Sequence, residues 1–567
     1  MFPTGEAGLG YSAQQMFNAF VDVSNKPQDA SARQVALARV GDFATRYQQA
    51  SDQIDNIQSG IAQDLRTAVD SINSLTSRIA DLNQRIATAK GTGHDPNDLL
   101  DQRDTAISDL SKIAQVTTVA AADGTVGVFL GGGQKLVLGN ESTPITALAD
   151  PYDPAKVQIG ISEGGTTRAF PDGYIVGGSV AGLLRVQNHD LGDARGLLGQ
   201  IASAVAGALN QQQALGLDLG QPSGPGAPLL SVGAAAAVPS SGNAQAGGVP
   251  VASFVNGAGV RVSSVSISVV ATSELQPSDY ELVADPALPA GSYKLTRLSD
   301  NTSQTVSNGD VVDGFRIDIA APAPAARDRF LLQPVSQATR SIARALDDPN
   351  GIAAAAPVSA TVAPGNTGTA SVASLAAVSA SLNPNLTATI TFTDNSGNYD
   401  YSLVDTTGVL PTVNGSGSSV PGQPIAINGF ALTLNGMPKL GDSVVVAKTV
   451  NPAGNNGNAN ALLALRDATI VGQRTISPGV VAPGVNPTDA YAAALATIGV
   501  RVQSAGLAAN QSAAIASDAS TAVANTSGVN LDEEAARLIQ YQQSYQAAAK
   551  ILQVAQSVFD TLLQVGN

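Results

Sequence analysis

The chain has 567 residues, with 30 Lys and Arg against 45 Asp and Glu, a formal net charge of −15, no cysteine, no tryptophan and two histidines, His94 and His189. That charge disfavours a nucleic-acid backbone or an anionic bilayer as partner, and the inventory excludes disulfide frameworks, thiolate metal sites and most histidine chemistry. The length predicts roughly three or four domains, and no basic patch with an apolar run opens the chain and no stretch approaches 18 consecutive apolar residues, so neither a cleaved signal nor a membrane span is read from it.

From Gly41 to Lys90 apolar residues fall at Phe43, Tyr47, Ala50, Ile54, Ile57, Ile61, Leu65, Ala68, Ile72, Leu75, Ile79, Leu82 and Ile86. Steps of three and four make a narrow stripe on a helix of about 50 residues. The doubled four at Ile57, Ile61 and Leu65 is a stutter. Such a stripe calls for an equally long partner. Gly91, Gly93 and Pro96 end it, and Asn97 to Ile113 reads as a shorter helix with Leu99, Leu100 and Ile107 inward.

From Gln115 the period becomes two: Val116, Val119, the Asp123-Gly124 turn, Val126, Val128, Leu130, Gly131 to Gly133, Leu136 and Leu138. This is a small antiparallel meander, extending over about 115–175. Helix returns near Ser179 with Ala181, Leu184, Leu197, Leu198, Ile201, Val205 and Leu209 on its apolar face, and the Pro/Gly-rich Gln221 to Ala227 marks a boundary.

Between Leu229 and Asn458 short alternating runs (Val265 to Val269, Phe315 to Ile319, Thr387 to Phe392, Ala431 to Leu434) in an Ala/Ser/Thr/Val/Gly background predict all-β modules. Three short likenesses suggest a duplication: Asp279-Tyr280-Glu281-Leu282 with Asp400-Tyr401-Ser402-Leu403, Gly314-Phe315 with Gly429-Phe430, and Pro324 and Asp328 with Pro438 and Asp442. After Asn460 the helical period returns through Leu462, Leu463, Leu465, Tyr491, Leu495, Ile498, Val502 and Ile515. The order helix, β, helix predicts a helical domain built from both ends of the chain.

The last segment opens with Asn530 and Glu533 in a capping box, with Asp532, Glu533 and Glu534 at the positive end of the helix dipole. Leu531, Ala535, Leu538, Tyr541, Tyr545, Ala548, Leu552, Ala555, Phe559 and Leu562 then keep three-four spacing. At 1.5 Å per residue that stripe is roughly 48 Å long, more than a small core covers, which points to pairing with another long helix.

The runs Ser527 to Ala536 and Leu538 to Lys550 resemble the C-terminal signature of the hook-associated protein 1 family of bacterial flagella. Phe17-Asn18-Ala19-Phe20, Asn25 to Asp29 with Arg33-Gln34, Asn97 to Asp104, Leu136 to Gly139, and Asn210 with Gly216 to Leu219 are similar to the same family. The resemblance implies an α+β multidomain fold: an elongated, flagellin-like helical domain from both chain ends, inserted all-β domains and a long C-terminal helix. On that reading residues 1–222 and 459–528 form the helical core, 223–458 the β insert and 529–567 the inner-tube helix.

The resemblance further implies a non-enzymatic structural subunit joining hook to filament. It would be exported through the flagellar type III system to the extracellular flagellum. Expected partners are copies of itself in a ring, hook protein, the second junction protein, the export apparatus and an export chaperone on the C-terminal helix. No cofactor, nucleic acid or membrane insertion is expected. Members of the family begin with a further helical segment that this chain lacks before Phe17. Leu531 to Asn567 is therefore expected to be frayed, detached or packed on a neighbour. Flagellin, the second junction protein, or a β-domain adhesin on a flagellar scaffold are the alternatives.

No active site is nominated. His94 and His189 stand far apart with no His-Glu-x-x-His motif and read as surface positions. Gly415-Ser416-Gly417-Ser418 reads as flexible turns rather than a nucleophile elbow. Gly131 to Gly133 lacks the Lys-Ser/Thr of a phosphate loop and reads as a hairpin turn. Asp347-Asp348 reads as a helix end. Tyr280, Phe315, Tyr401 and Phe430 alternate as core residues do.

Overall fold

The computed structural model describes residues 5–93, 96–131, 133–171, 173–477, 480–527 and 531–565. These divide into two compact units, Met1–Leu495 and Ala496–Asn567.

The first unit opens with α1 (Leu9–Asn25), whose Leu9, Met16, Phe17, Phe20 and Val23 are buried, and α2 (Ala30–Gly91). Pro27 halts the chain between them, and the Asp29 carboxylate caps α2 by accepting from the Ser31 N–H at 2.8 Å. The helix therefore starts at Ala30 rather than Gly41, and its 62 residues span about 93 Å. Of the stripe, Ile54, Ile61, Leu65, Ile72, Ile79 and Leu82 are buried, Leu75 is half-buried and Ile57 is 38% exposed. At the stutter Gln58 turns inward instead, because its amide bridges Asp153 (2.9 Å) and Arg195 (3.2 Å). The expected equally long partner is replaced by a succession of shorter ones: α1, α3 (Asn97–Ile113), small sheets, and the helices that follow. In α3 the residues fully buried are Arg103, Ala106 and Leu110, with Leu99, Leu100 and Ile107 half-buried.

The meander comprises two sheets. One orders β1 (Val116–Ala120), β2 (Val126–Leu130), β3 (Gln134–Leu138) and β4 (Glu141–Ser142); the other orders β5 (Ile145–Ala149), β6 (Val157–Glu163) and β7 (Thr166–Ala169). Amide side chains dock them. Asn83 on α2 donates to the Val126 and Gly139 carbonyls and accepts from the Val126 N–H. Asn73, ten residues earlier on α2, makes the same two-way pair with Ile145. After the sheets α4 (Gly178–Arg185) runs through a π-turn (Val186–Asp190) into α5 (Leu191–Leu215), and Gln187 of that turn pairs both ways with Val157. Each amide imitates a neighbouring strand and satisfies the backbone of the residue that opens β2, β5 or β6.

Two β-sandwiches follow. Module A contains β8 (Ala236–Pro239), β9 (Val265–Val269), β10 (Tyr280–Val283), β11 (Ser292–Arg297), β12 (Ser303–Ser307), β13 (Val311–Val312), β14 (Phe315–Ile319) and β15 (Arg329–Gln333). Module B contains β16 (Val358–Val362), β17 (Ser371–Ala377), β18 (Leu386–Phe392), β19 (Asn398–Asp405), β20 (Val413–Ser418), β21 (Pro424–Ile427), β22 (Phe430–Asn435) and β23 (Ser443–Lys448). Their sheets are ordered β12-β11-β10-β15-β8 with β9-β14-β13, and β20-β19-β18-β23-β16 with β17-β22-β21. Adding eight to every strand of the first gives the second.

Two of the three sequence likenesses fall on equivalent places: Gly314-Phe315 opens β14 as Gly429-Phe430 opens β22, and Asp328 precedes β15 as Asp442 precedes β23. The third does not. Asp279 to Leu282 runs into β10, whereas Asp400 to Leu403 lies in β19, whose equivalent is β11; period-two patterns repeat on adjacent strands, which produces the false match. Each module has its own core, around Tyr280, Phe315 and Phe330 in one and Phe392, Phe430 and Val444 in the other. Tyr401 is half-buried rather than core.

The chain then returns through α6 (Gly457–Ala464), a hairpin of β24 (Arg474–Ser477) and β25 (Val480–Ala482), and α7 (Pro487–Ser527). Ser24 donates to Asn460 at 2.5 Å, Asn456 donates to the Ser24 carbonyl at 2.8 Å, and Tyr491 lies against Gly10. The returning segment thus closes on α1. Among the described residues Pro487–Asn525 is long and apolar enough by composition to cross a membrane, where the sequence reading found no span. Its apolarity is largely alanine, scattered among Ser, Thr, Gln and Asn, so the average rises without an unbroken run.

Candidate assembly surface

The second unit holds the rest of α7 and α8 (Leu531–Val565). Of the expectation that this segment be frayed, detached or packed on a neighbour, fraying is not what the described residues show: α8 is continuous, with its apolar stripe exposed. Of its stripe, Leu538 is 67%, Tyr545 77% and Phe559 64% exposed, and Ala535, Tyr541, Ala548, Leu552, Ala555 and Leu562 are exposed too. Ile551, Val554 and Val558 are also exposed. At about 100° per residue they form a second row beside the first, so the C-terminal half of α8 is apolar over a wide arc. On α7, Val500, Val502, Leu507, Ile515 and Val523 are exposed as well. So much bared aliphatic and tyrosine surface marks an interaction face.

The first turn of α8 carries Asp532, Glu533 and Glu534, and Arg537 bridges back to Glu533 (3.3 Å) and Glu534 (3.0 Å). These exposed pairs contribute only tenths of a kcal/mol, about 0.3–0.5 each. Their use is to start the helix and keep its polar face wet. Asn530, expected to cap it, and the Leu531 side chain lie outside the described residues.

In the first unit the residues that carry the family resemblance sit where distant segments meet. Arg33 is wholly buried and its guanidinium donates to the carbonyls of Pro27 (2.5 Å), Pro349 (3.2 Å) and Ile352 (2.7 Å). Burial lowers it to about 10, against the raising pull of Asp218 and Asp348. Arg103 donates to the Gly124 carbonyl at 2.8 Å. Asn210 on α5 pairs with Leu229 and Leu230 at the entry to module A, and Leu217 exchanges backbone hydrogen bonds with Ala355 at the entry to module B.

Module A is seated on α5 by small residues. A Cβ on Gly196 would stand 2.8 Å from the Pro277 carbonyl oxygen, and on Gly199 or Gly207 it would collide with the Val335 carbonyl or the Thr272 side chain. A polar cluster locks this seat. Asp55 of α2 accepts from Arg195 of α5 (2.5 Å) and from Arg340 (2.9 Å), beside Gln58 and Asp153. Burial and then the neighbouring Arg340 lower the Arg195 guanidinium from its usual range. Periodicity missed these residues, since they are buried polar groups defined by their hydrogen bonds.

Among the described residues no three His, Asp or Glu gather as a metal would require. His189 is exposed at the rim of a cleft of about 300 Å³, and His94 lies outside the described residues. Gly131 and Gly133 turn the β2–β3 hairpin with positive φ, as expected. Gly415 to Ser418 is not a turn but part of β20, where the Tyr401 and Tyr399 rings cover Gly415 and Gly417 and leave no room for side chains. Asp347 pairs with Arg344 at 2.8 Å and Asp348 caps a short turn.

Family models match three stretches: residues 1–229 match a "flagellar hook-associated protein FlgK helical domain", 256–334 a "flagellar hook-associated protein 1, D2-like domain", and 521–565 a "flagellar basal body rod FlgEFG protein C-terminal". The chain is 27% identical to flagellar hook-associated protein 1 of Salmonella typhimurium, over 99% of this chain and 81% of that protein. It is 25% identical to the Escherichia coli protein of the same name, over 100% and 82%. The flagellar hook junction protein FlgK from Burkholderia pseudomallei has a similar fold, with a TM-score of 0.74 and 27% identity over 93% of this chain and 94% of that one.

Proposed function

The chain belongs to the flagellar hook-associated protein 1 family, and we propose that it works at the hook–filament junction by lodging its exposed terminal helices in the wall of the flagellar axis. It is a structural component of the flagellum. The observation that carries the assembly reading is the α8 stripe, bare from Ala535 to Leu562, in the stretch that matches the C-terminal part of rod proteins. Burying such a stripe against long neighbours at about 25 cal/mol per Å² would supply ample association energy.

On this proposal residues 1–222 and 459–528 are the helical core, 223–458 the outward β modules and 529–567 the inner helix. Copies of the chain form a ring between hook protein and the second junction protein. The chain reaches that place unfolded through the type III export apparatus, with a chaperone covering α8 until then. The role is one of geometry and adhesion, with no catalysis.

Deleting the gene in the native bacterium tests it. The expected cells carry hooks without filaments and release flagellin into the medium. Normal filaments on the deletion strain would overturn the proposal.

A further inference from the structure

Modules A and B build the same eight strands, so each is a control for what the fold itself requires. At the turn before β14, Asp313 (φ 46°) and Gly314 repeat the backbone of Asn428 (φ 47°) and Gly429 before β22. In module B the turn is tied down by uncharged groups: Asn428 donates to the Asn383 carbonyl at 2.8 Å and accepts from its N–H. In module A the Asp313 carboxylate instead accepts from the Tyr280 hydroxyl (2.6 Å) and from Arg297 (2.5 and 3.2 Å), and Arg297 also reaches Asp300 at 3.0 Å. The same turn is held by neutral amides in module B, so the fold does not require the charge of this cluster.

It faces a cleft of about 610 Å³, within the roughly 300–1,000 Å³ typical of small-molecule sites. The β24 hairpin closes the cleft from outside. The Gln473 N–H donates to the Ser273 carbonyl and Thr475 donates to Glu274 at 3.0 Å.

We propose that this cleft binds a neutral saccharide. Val311 and Val312 line the cleft and offer aliphatic surface to the C–H face of a sugar. The carboxylates of Asp313 and Glu274 are acceptors for its hydroxyls, and the Arg474 guanidinium and Gln304 amide are donors. Arg297 and Arg474 are balanced by Asp313 and Glu274, which removes the surplus positive charge that a phosphate or sulfate would need. Donors, acceptors and aliphatic side chains gathered around one cleft suit a polyhydroxylated ring.

Saturation-transfer NMR on the full chain with maltotriose, chitotriose and, as the charged comparison, trigalacturonate tests the site. At least one neutral trisaccharide should bind, and Arg474→Ala and Gln304→Ala, both at exposed positions, should each weaken it by at least about tenfold. Circular dichroism controls for folding. Three outcomes would overturn the proposal: transfer to none of the sugars, binding undiminished in both variants, or binding of trigalacturonate alone.

Discussion

Asp328 and Asp442 do the same work 114 residues apart. Each carboxylate accepts from the N–H three residues before it, Ala325 at 2.9 Å and Lys439 at 2.8 Å, and from a loop N–H of its own module, Ala244 at 2.8 Å and Thr367 at 2.7 Å. Beside them Asn243 and Asn366 pair both ways with the first residues of β15 and β23, Arg329 and Ser443. One corner has been used twice, to fix the loop after the first strand to the start of the last.

Asp442→Ala orphans the N–H groups of Thr367, Gly368 and Lys439. Module B should lose about 2–4 kcal/mol of local stability, read from hydrogen exchange of β22 and β23 amides. Asp442→Asn, which keeps an acceptor, should lose less. Equal protection in Asp442→Ala and the parent would contradict the account of the corner.

In an exposed helix Gly→Ala normally stabilises by about 1 kcal/mol. At Gly199 the sign should reverse, because the added methyl meets the Val335 carbonyl. A loss of about 1–3 kcal/mol is expected, with faster proteolysis between α5 and module A. Gly182→Ala, where nothing lies within 4 Å, is the control that should follow the ordinary sign.

Asp55→Asn removes the carboxylate shared by Arg195 and Arg340. A fully buried pair broken in this way costs about 3–5 kcal/mol; Asp55 is 37% exposed, so about 2 kcal/mol is expected. Asp55→Asn with Arg195→Met should recover part of it, by denaturant unfolding of the first unit. Failure of that recovery would mean the charges are not coupled.

The Asp405 carboxyl accepts from the Thr407 N–H and hydroxyl and from the N–H groups of Leu410 and Val409, which hold it at about 2. A lowered carboxyl stabilises the folded loop above its unfolded value of about 3.9 and loses that contribution as pH falls toward about 2. The Val409 and Leu410 amide shifts should therefore titrate with a midpoint near about 2, and Asp405→Asn should flatten them. A midpoint near about 4 would show that the hydrogen bonds do not hold the carboxylate.

Apolar spacing made the long helix, the meander and the β middle legible, because residues such as Ile61, Leu65 and Ile72 bury their side chains at the period of the element. What spacing could not reveal was polar docking. Asn73, Asn83, Gln187, Asn210 and Arg33 look like surface residues in sequence, yet each satisfies the backbone of a segment far away. Ile57 failed for the same reason, since Gln58 took its place. The β20 strand was hidden because its glycines carry no alternation of their own; the covering rings belong to Tyr399 and Tyr401 on β19. Of the α8 stripe, the nine residues from Ala535 to Leu562 lie exposed on one helix, while the second row of Ile551, Val554 and Val558 escaped a reading by three-four spacing because it runs beside the first.

Filament attachment by cells carrying Leu552→Asp and Phe559→Asp tests the central claim most directly. Both residues are more than 60% exposed on α8, so the chain itself should fold, and electron microscopy should show hooks that bear no filaments while flagellin accumulates in the medium. Filaments in normal number on those cells would contradict assembly through this helix.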